Sequence, residues 1–171
     1  MTFPLIAVGV LLLIVLILAI VAKFIPKSGD KNPATSGDYF SRGVLMTPAE
    51  ISFYHVLRSS LPEETYLICP KVRLADIVDV DKGLDKSRKS SAVNRITSKH
   101  VDFVLCNPSD TTLYAAIELD DASHRGKRQK EKDKFKDETL SASGIPLIRF
   151  PAQATYTPAD VVGKINAAFR R

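Results

Sequence analysis

The stretch Ala115 to His124, AAIELDDASH, runs from apolar residues into Glu118, Asp120 and Asp121 and closes on His124. Neighbouring carboxylates repel one another, and burying them is costly unless a cation or a hydrogen-bond network offsets the charge. Side chains two apart on a strand share a face, so Glu118 and Asp120 point one way while Ile117 and Leu119 pack behind them. Another acid, Asp102, stands between Val101 and Phe103 in HVDFVLCN, and a turn at Pro108–Asp110 returns the chain antiparallel, which lays Asp102 alongside. Asp102, Glu118 and Asp120 then offer three carboxylates to one point. That donor set suits a hard divalent cation such as Mg²⁺, which keeps several waters and leaves positions open for a phosphate and a nucleophilic water.

The charge that follows is of opposite sign. Between His124 and Lys136 stand seven basic residues (Arg125, Lys127, Arg128, Lys130, Lys132, Lys134, Lys136) against Glu131 and Asp133, which equals the +5 of the whole chain. Lys and Arg hold phosphate oxygens without reading sequence, so Arg125, Lys127, Arg128, Lys130 and Lys134 are candidate nucleic-acid contacts. A polyanion held beside a metal that activates water is the arrangement of metal-dependent phosphodiester hydrolysis, with DNA the favoured substrate. The basic run has two plainer readings, a solvated helix face or a surface for anionic lipid. Cys69 and Cys106 lie in separate apolar runs and form no CxxC pair, so they read as free thiols in a reducing compartment and not as a zinc site.

The elements that must position these residues follow in order. Thr47-Pro-Ala-Glu50 has the pattern of a capping box, and Ile51, Tyr54, Val56, Leu57 and Leu61 continue it as a helix. TYLICPKVRLADIV predicts a strand with an irregularity at Pro70. Asp79 to Ser90 has loop composition, and SAVNRITSK a short helix. HVDFVLCN and TLYAAIELD form a hairpin; Lys127 to Ser143 is a helix stopped by Gly144; IPLIRF is a strand; Pro158 to Phe169 is a last helix. Asp133 and Arg149 read as a pair joining helix to strand. The order predicts an α/β domain with a mixed central sheet flanked by helices.

A different solvent is suggested at the N-terminus. Phe3 to Ala22 carries no charged side chain and is long enough to span a hydrocarbon core of ~30 Å, which predicts a transmembrane anchor over 3–25. A cleaved signal peptide is the rival reading, but no basic segment precedes the run and no small-residue cleavage site follows it. Lys23, Lys27 and Lys31 come just after the run, so the positive-inside bias puts the N-terminus outside and the remainder in the cytoplasm. Residues 26–38 read as a flexible linker, and the folded domain as 39–171.

Taken together, AEISFYHVL, HVDFVLCNP, AIELDDASH and EKDKFKDETLSASGIPLIRF resemble a bacterial family, domain of unknown function 2726. That family is placed in the restriction-endonuclease-like, PD-(D/E)xK nuclease superfamily, near the very-short-patch-repair endonucleases. The resemblance covers roughly Ser41 to Pro151. It implies a restriction-endonuclease-like fold, Mg²⁺ or Mn²⁺ as cofactor, and, with the predicted anchor, a place at the bacterial inner membrane. Under it Glu50 resembles the superfamily's helix acid, Asp102 its first metal-binding aspartate and Glu118 its strand acid. The departure is two positions after Glu118, where the usual lysine is replaced by Asp120. His124 resembles the histidine that the repair branch uses as general base, and Lys127 or Lys136 from the next helix are alternative cations.

Three functions remain open on the sequence. A metal nuclease is favoured by Asp102, Glu118, Asp120 and His124. A catalytically silent module that binds nucleic acid or protein is favoured by the missing lysine. A protein-docking domain predicts no affinity for nucleic acid at any salt. Glu50 is likewise open between cap and site acid.

Overall fold

Thr47 heads the first helix of the domain as its neighbours predict. The Glu50 N–H donates to Thr47 Oγ1 at 3.3 Å and the Thr47 N–H to Glu50 Oε2 at 2.9 Å, which closes the capping box of α1 (Pro48–Ser60). This is a computed structural model, and it describes residues 11–18, 20–21, 35–120 and 127–170. The chain divides into two units, 1–42 and 43–171.

In the second unit four strands follow α1: β1 (Leu67–Arg73), β2 (His100–Cys106), β3 (Leu113–Asp120) and β4 (Leu147–Pro151), side by side in that order. The first three pair antiparallel, and β4 pairs parallel to β3. A parallel return needs a crossover, and α4 (Lys127–Ala142) supplies it. Between β1 and β2 lie a short helix, α2 (Leu74–Ile77), and α3 (Lys86–Thr97); α5 (Pro158–Phe169) closes the chain. The α/β class and the mixed sheet agree with the order read from the sequence.

Alternation along β3 divides the core. Ala115 and Ile117 join Phe53, Leu57, Phe103, Leu105, Phe150, Val161 and Ile165, whereas Ala116 joins Leu74, Ile96, Val104, Leu140 and Ile145. Phe53 is central to the first cluster, with ring centroids 4.9 Å from Phe150, 5.9 Å from Phe103 and 4.7 Å from Tyr156. The buried stripe of α1 is therefore Phe53, Leu57 and the capping Leu61, at four-residue spacing, while Ile51, assigned to that face from the sequence, is exposed.

Three sequence expectations are corrected. The irregularity at Pro70 falls on the next residue, Lys71, whose φ is +56°. The stretch Asp79 to Ser90 is not all loop: α3 starts inside it, because Asp85 accepts from the N–H groups of Ser87 and Arg88 and so caps the helix. The third concerns the membrane anchor.

In the first unit residues 11–18 and 20–21 are helical, and Ser36–Asp38 form a 3-10 turn. Among the described residues no helix is long and apolar enough to cross a membrane. The transmembrane anchor expected over 3–25 is thus not supported; the other residues of that stretch, and the linker up to residue 34, lie outside the described residues.

Candidate active site

Strand pairing sets a row of charge across the sheet. Pro70 opposes Phe103 and Val72 opposes Val101, so Lys71 comes level with Asp102. Phe103 opposes Ile117, which brings Asp102 level with Glu118, and Glu118 pairs directly with Arg149 of β4. The row reads Lys71, Asp102, Glu118, Arg149. Helices add to it from two sides: α1 contributes Glu50 from its first turn and α4 contributes Lys136.

At one end Lys71 joins two acids. Its Nζ lies 2.6 Å from Glu50 Oε1 and 3.4 Å from Asp102 Oδ1, with all three side chains largely shielded from solvent. The left-handed backbone of Lys71 is unfavourable for a residue with a Cβ. It follows a proline and aims this ammonium between the acids of two different elements. Asp102 is held from its other oxygen by the Leu119 N–H, 2.9 Å from Oδ2, which ties β2 to the end of β3. For Glu50, burial works to raise its pKa, but the Lys71 hydrogen bond and the Thr47 N–H outweigh it and hold the carboxyl below its ordinary value.

Among the described residues Glu118 is the one charged residue of the buried core, 7% exposed, and it accepts a hydrogen bond from Lys136 Nζ. Burial is the largest influence on it and pushes its pKa up to about 7; the adjacent charge of Asp102 adds to this, and Lys136 and Arg149 oppose it. A carboxyl that exchanges its proton near neutrality, beside a second carboxylate and a lysine, is the environment in which acid–base and metal chemistry are found.

The third acid goes elsewhere. Asp120 Oδ1 lies 2.5 Å from Arg149 Nη1, and the same guanidinium donates from Nε and Nη2 to Asp137 Oδ1 at 3.1 and 2.8 Å. The partner of Arg149 on α4 is thus Asp137, one turn beyond the Asp133 named from the sequence. Among the described residues no group of three or more His, Cys, Asp or Glu could hold a metal ion. The expected convergence of Asp102, Glu118 and Asp120 therefore reduces to a pair, Asp102 with Glu118, because Arg149 takes up Asp120.

His124 and Arg125 lie outside the described residues. Lys127, Arg128 and Lys130 fall on the first turn of α4, and their side chains also lie outside the description. Lys134 is exposed, with Glu138 one turn on at 3.6 Å. Lys71 was not legible as a site residue, although a lysine directly after a strand-breaking proline was the available signal. The two cysteines are free, and burial raises the Cys106 thiol to about 11, with Cys69 beside it adding to the effect.

A family model described as Protein of unknown function (DUF2726) matches residues 42–168. No curated protein and no solved structure matches the chain.

Proposed function

The chain belongs to the family Protein of unknown function (DUF2726), and we propose that it is a nuclease-like domain that binds nucleic acid, DNA foremost, and hydrolyses its phosphodiester bonds with Mg²⁺ or Mn²⁺. The kinship proposed is with the PD-(D/E)xK nucleases near the very-short-patch-repair branch, which its residues resemble. The observation that carries the reading is the pairing of Asp102 with a buried Glu118 on adjacent strands, with Lys136 on the same carboxylate.

The donor set fits a hard cation. Mg²⁺ is held by one or two carboxylates and retains waters, so two acids suffice. Asp102 and Glu118 would hold it, and their mutual repulsion, which helps raise Glu118 to about 7, is what a divalent charge relieves. When bound, the cation would polarise a phosphoryl oxygen and lower the pKa of water. The remaining work falls to the chain itself. Lys136 restores from α4 the cation that Asp120 removes from the usual motif position, and it stands ready to stabilise charge developing on phosphate oxygens. Lys71 orients Asp102 and Glu50 relative to one another. His124, under the family resemblance, is the general base.

A second reading has its own support. Glu50 and Asp102 share Lys71, Glu118 has Lys136, and Asp120 has Arg149, so each of these acids already has a cation. Such a network is also what a catalytically silent binding module would keep for its architecture. The deciding experiment is incubation of end-labelled duplex DNA, single-stranded DNA and RNA with the full chain and Mn²⁺. Cleavage abolished by chelator and by Asp102→Asn supports hydrolysis. Binding without cleavage on all three substrates, with wild type and variant equally folded, leaves the silent module.

A further inference from the structure

The α3 helix is chemically unlike the rest of the domain. From Lys86 to Lys99 the chain has five cations (Lys86, Arg88, Lys89, Arg95, Lys99), four serines, a threonine and an asparagine, and no acid. Only Ile96 of the helix is buried. A helix so polar gains little from packing, and the like charges of Lys86 and Lys89, three apart, disfavour it further. Asp85, which supplies the cap, is the acid nearest its start. The charge is therefore carried at a stability cost that an external polyanion would offset.

Lys86, Ser90, Ser91, Asn94, Arg95 and Lys99, with flanking serines, share one open face. One end of this face is fixed on α4: the Arg95 guanidinium lies 4.0 Å from the centroid of the Phe135 ring and the Lys99 ammonium 4.9 Å. Phe135 precedes Lys136, whose ammonium is on Glu118, so the same turn of α4 serves this face and the candidate active site. Cations interleaved with hydroxyl and amide donors suit phosphate oxygens, whereas a membrane-surface helix presents large apolar side chains opposite its basic face.

We propose that the open basic face of α3 is a binding site for the phosphodiester backbone of nucleic acid, delivering the strand toward Asp102 and Glu118. The ligand rests on the nucleic-acid reading above, but the site requires no catalysis. It differs from the basic start of α4, to which the sequence pointed.

The test is fluorescence anisotropy of a labelled DNA duplex with the full chain in EDTA, across a salt series. Lys86→Gln/Arg95→Gln/Lys99→Gln is expected to weaken binding at least tenfold and to flatten the dependence of log K on log salt by about 2 to 3, since each phosphate contact contributes roughly 0.9. Ser91→Glu and Lys86→Gln, which leave both Phe135 contacts in place, should each weaken binding severalfold, and they decide the matter if the triple variant does not fold. Wild-type binding with unchanged affinity and slope in the α3 variants overturns this site and leaves the nucleic-acid reading intact. Absence of wild-type binding at every salt overturns both, as does α3-dependent binding to phosphatidylserine vesicles without binding to DNA.

Discussion

Replacing Glu118 by glutamine isolates one buried titration. The carboxyl is ordinarily near 4.5 and is raised to about 7 in the fold, chiefly by burial. A folded-state pKa above the unfolded one means that the native state binds the proton more tightly. The group's contribution to stability is then fully present below pH 4.5 and is lost as pH rises toward and through 7. The gap between the two values corresponds to about 3 kcal/mol, most of which is lost between pH 5 and pH 8. Glutamine cannot ionise, so Glu118→Gln lacks this loss, while the other titrating groups are common to both proteins. Any fixed packing penalty of the amide shifts the comparison equally at each pH. Urea unfolding of both proteins in chelator at pH 5, 6, 7 and 8 should show the variant gaining on wild type by about 2 to 3 kcal/mol across the range. A stability difference that stays flat with pH, or that moves in favour of wild type, refutes the placement of Glu118 as a buried carboxyl raised toward neutrality.

Two further substitutions probe the scaffold. Phe53→Ala empties the centre of the aromatic cluster and should lower stability by about 3 to 5 kcal/mol, measured by the denaturant midpoint; a loss under 1 kcal/mol would contradict its central packing. Gly144 ends α4 at φ +70° with nothing within 4 Å of an added Cβ, so Gly144→Ala should cost only the backbone strain, about 1 kcal/mol, read as a fall in Tm of several degrees.

The sequence was most informative where one local rule decided the outcome. Thr47 and Glu50 cap a helix by their own side chains, Gly144 ends one by its backbone freedom, and the alternation of TLYAAIELD sorts its residues between two clusters. The pairing of Asp102 with Glu118 was also legible, because a short turn fixes hairpin register. What depended on remote elements was not. Lys71 reaches its acids only through a left-handed residue in β1, and Asp120 is drawn off by Arg149, which stands 29 positions later in the chain. The second half of α3 was legible in SAVNRITSK, but its first turn, Lys86 to Ser90, carries no apolar residue, so periodicity could not extend the helix back to its cap at Asp85. The N-terminal apolar run satisfied the length rule for a membrane span, but among the described residues no helix is long and apolar enough to cross one.

Asp102 and Glu118 are proposed together to hold a divalent cation for phosphodiester chemistry. Titration of Mn²⁺ into the metal-free full chain, with free Mn²⁺ followed by electron paramagnetic resonance, tests it directly. Wild type is expected to show one saturable site, weakened at least tenfold by Asp102→Asn and by Glu118→Gln. No binding, or binding that both variants retain unchanged, would contradict it and leave the row from Lys71 to Arg149 as an ion-pair network that serves the fold.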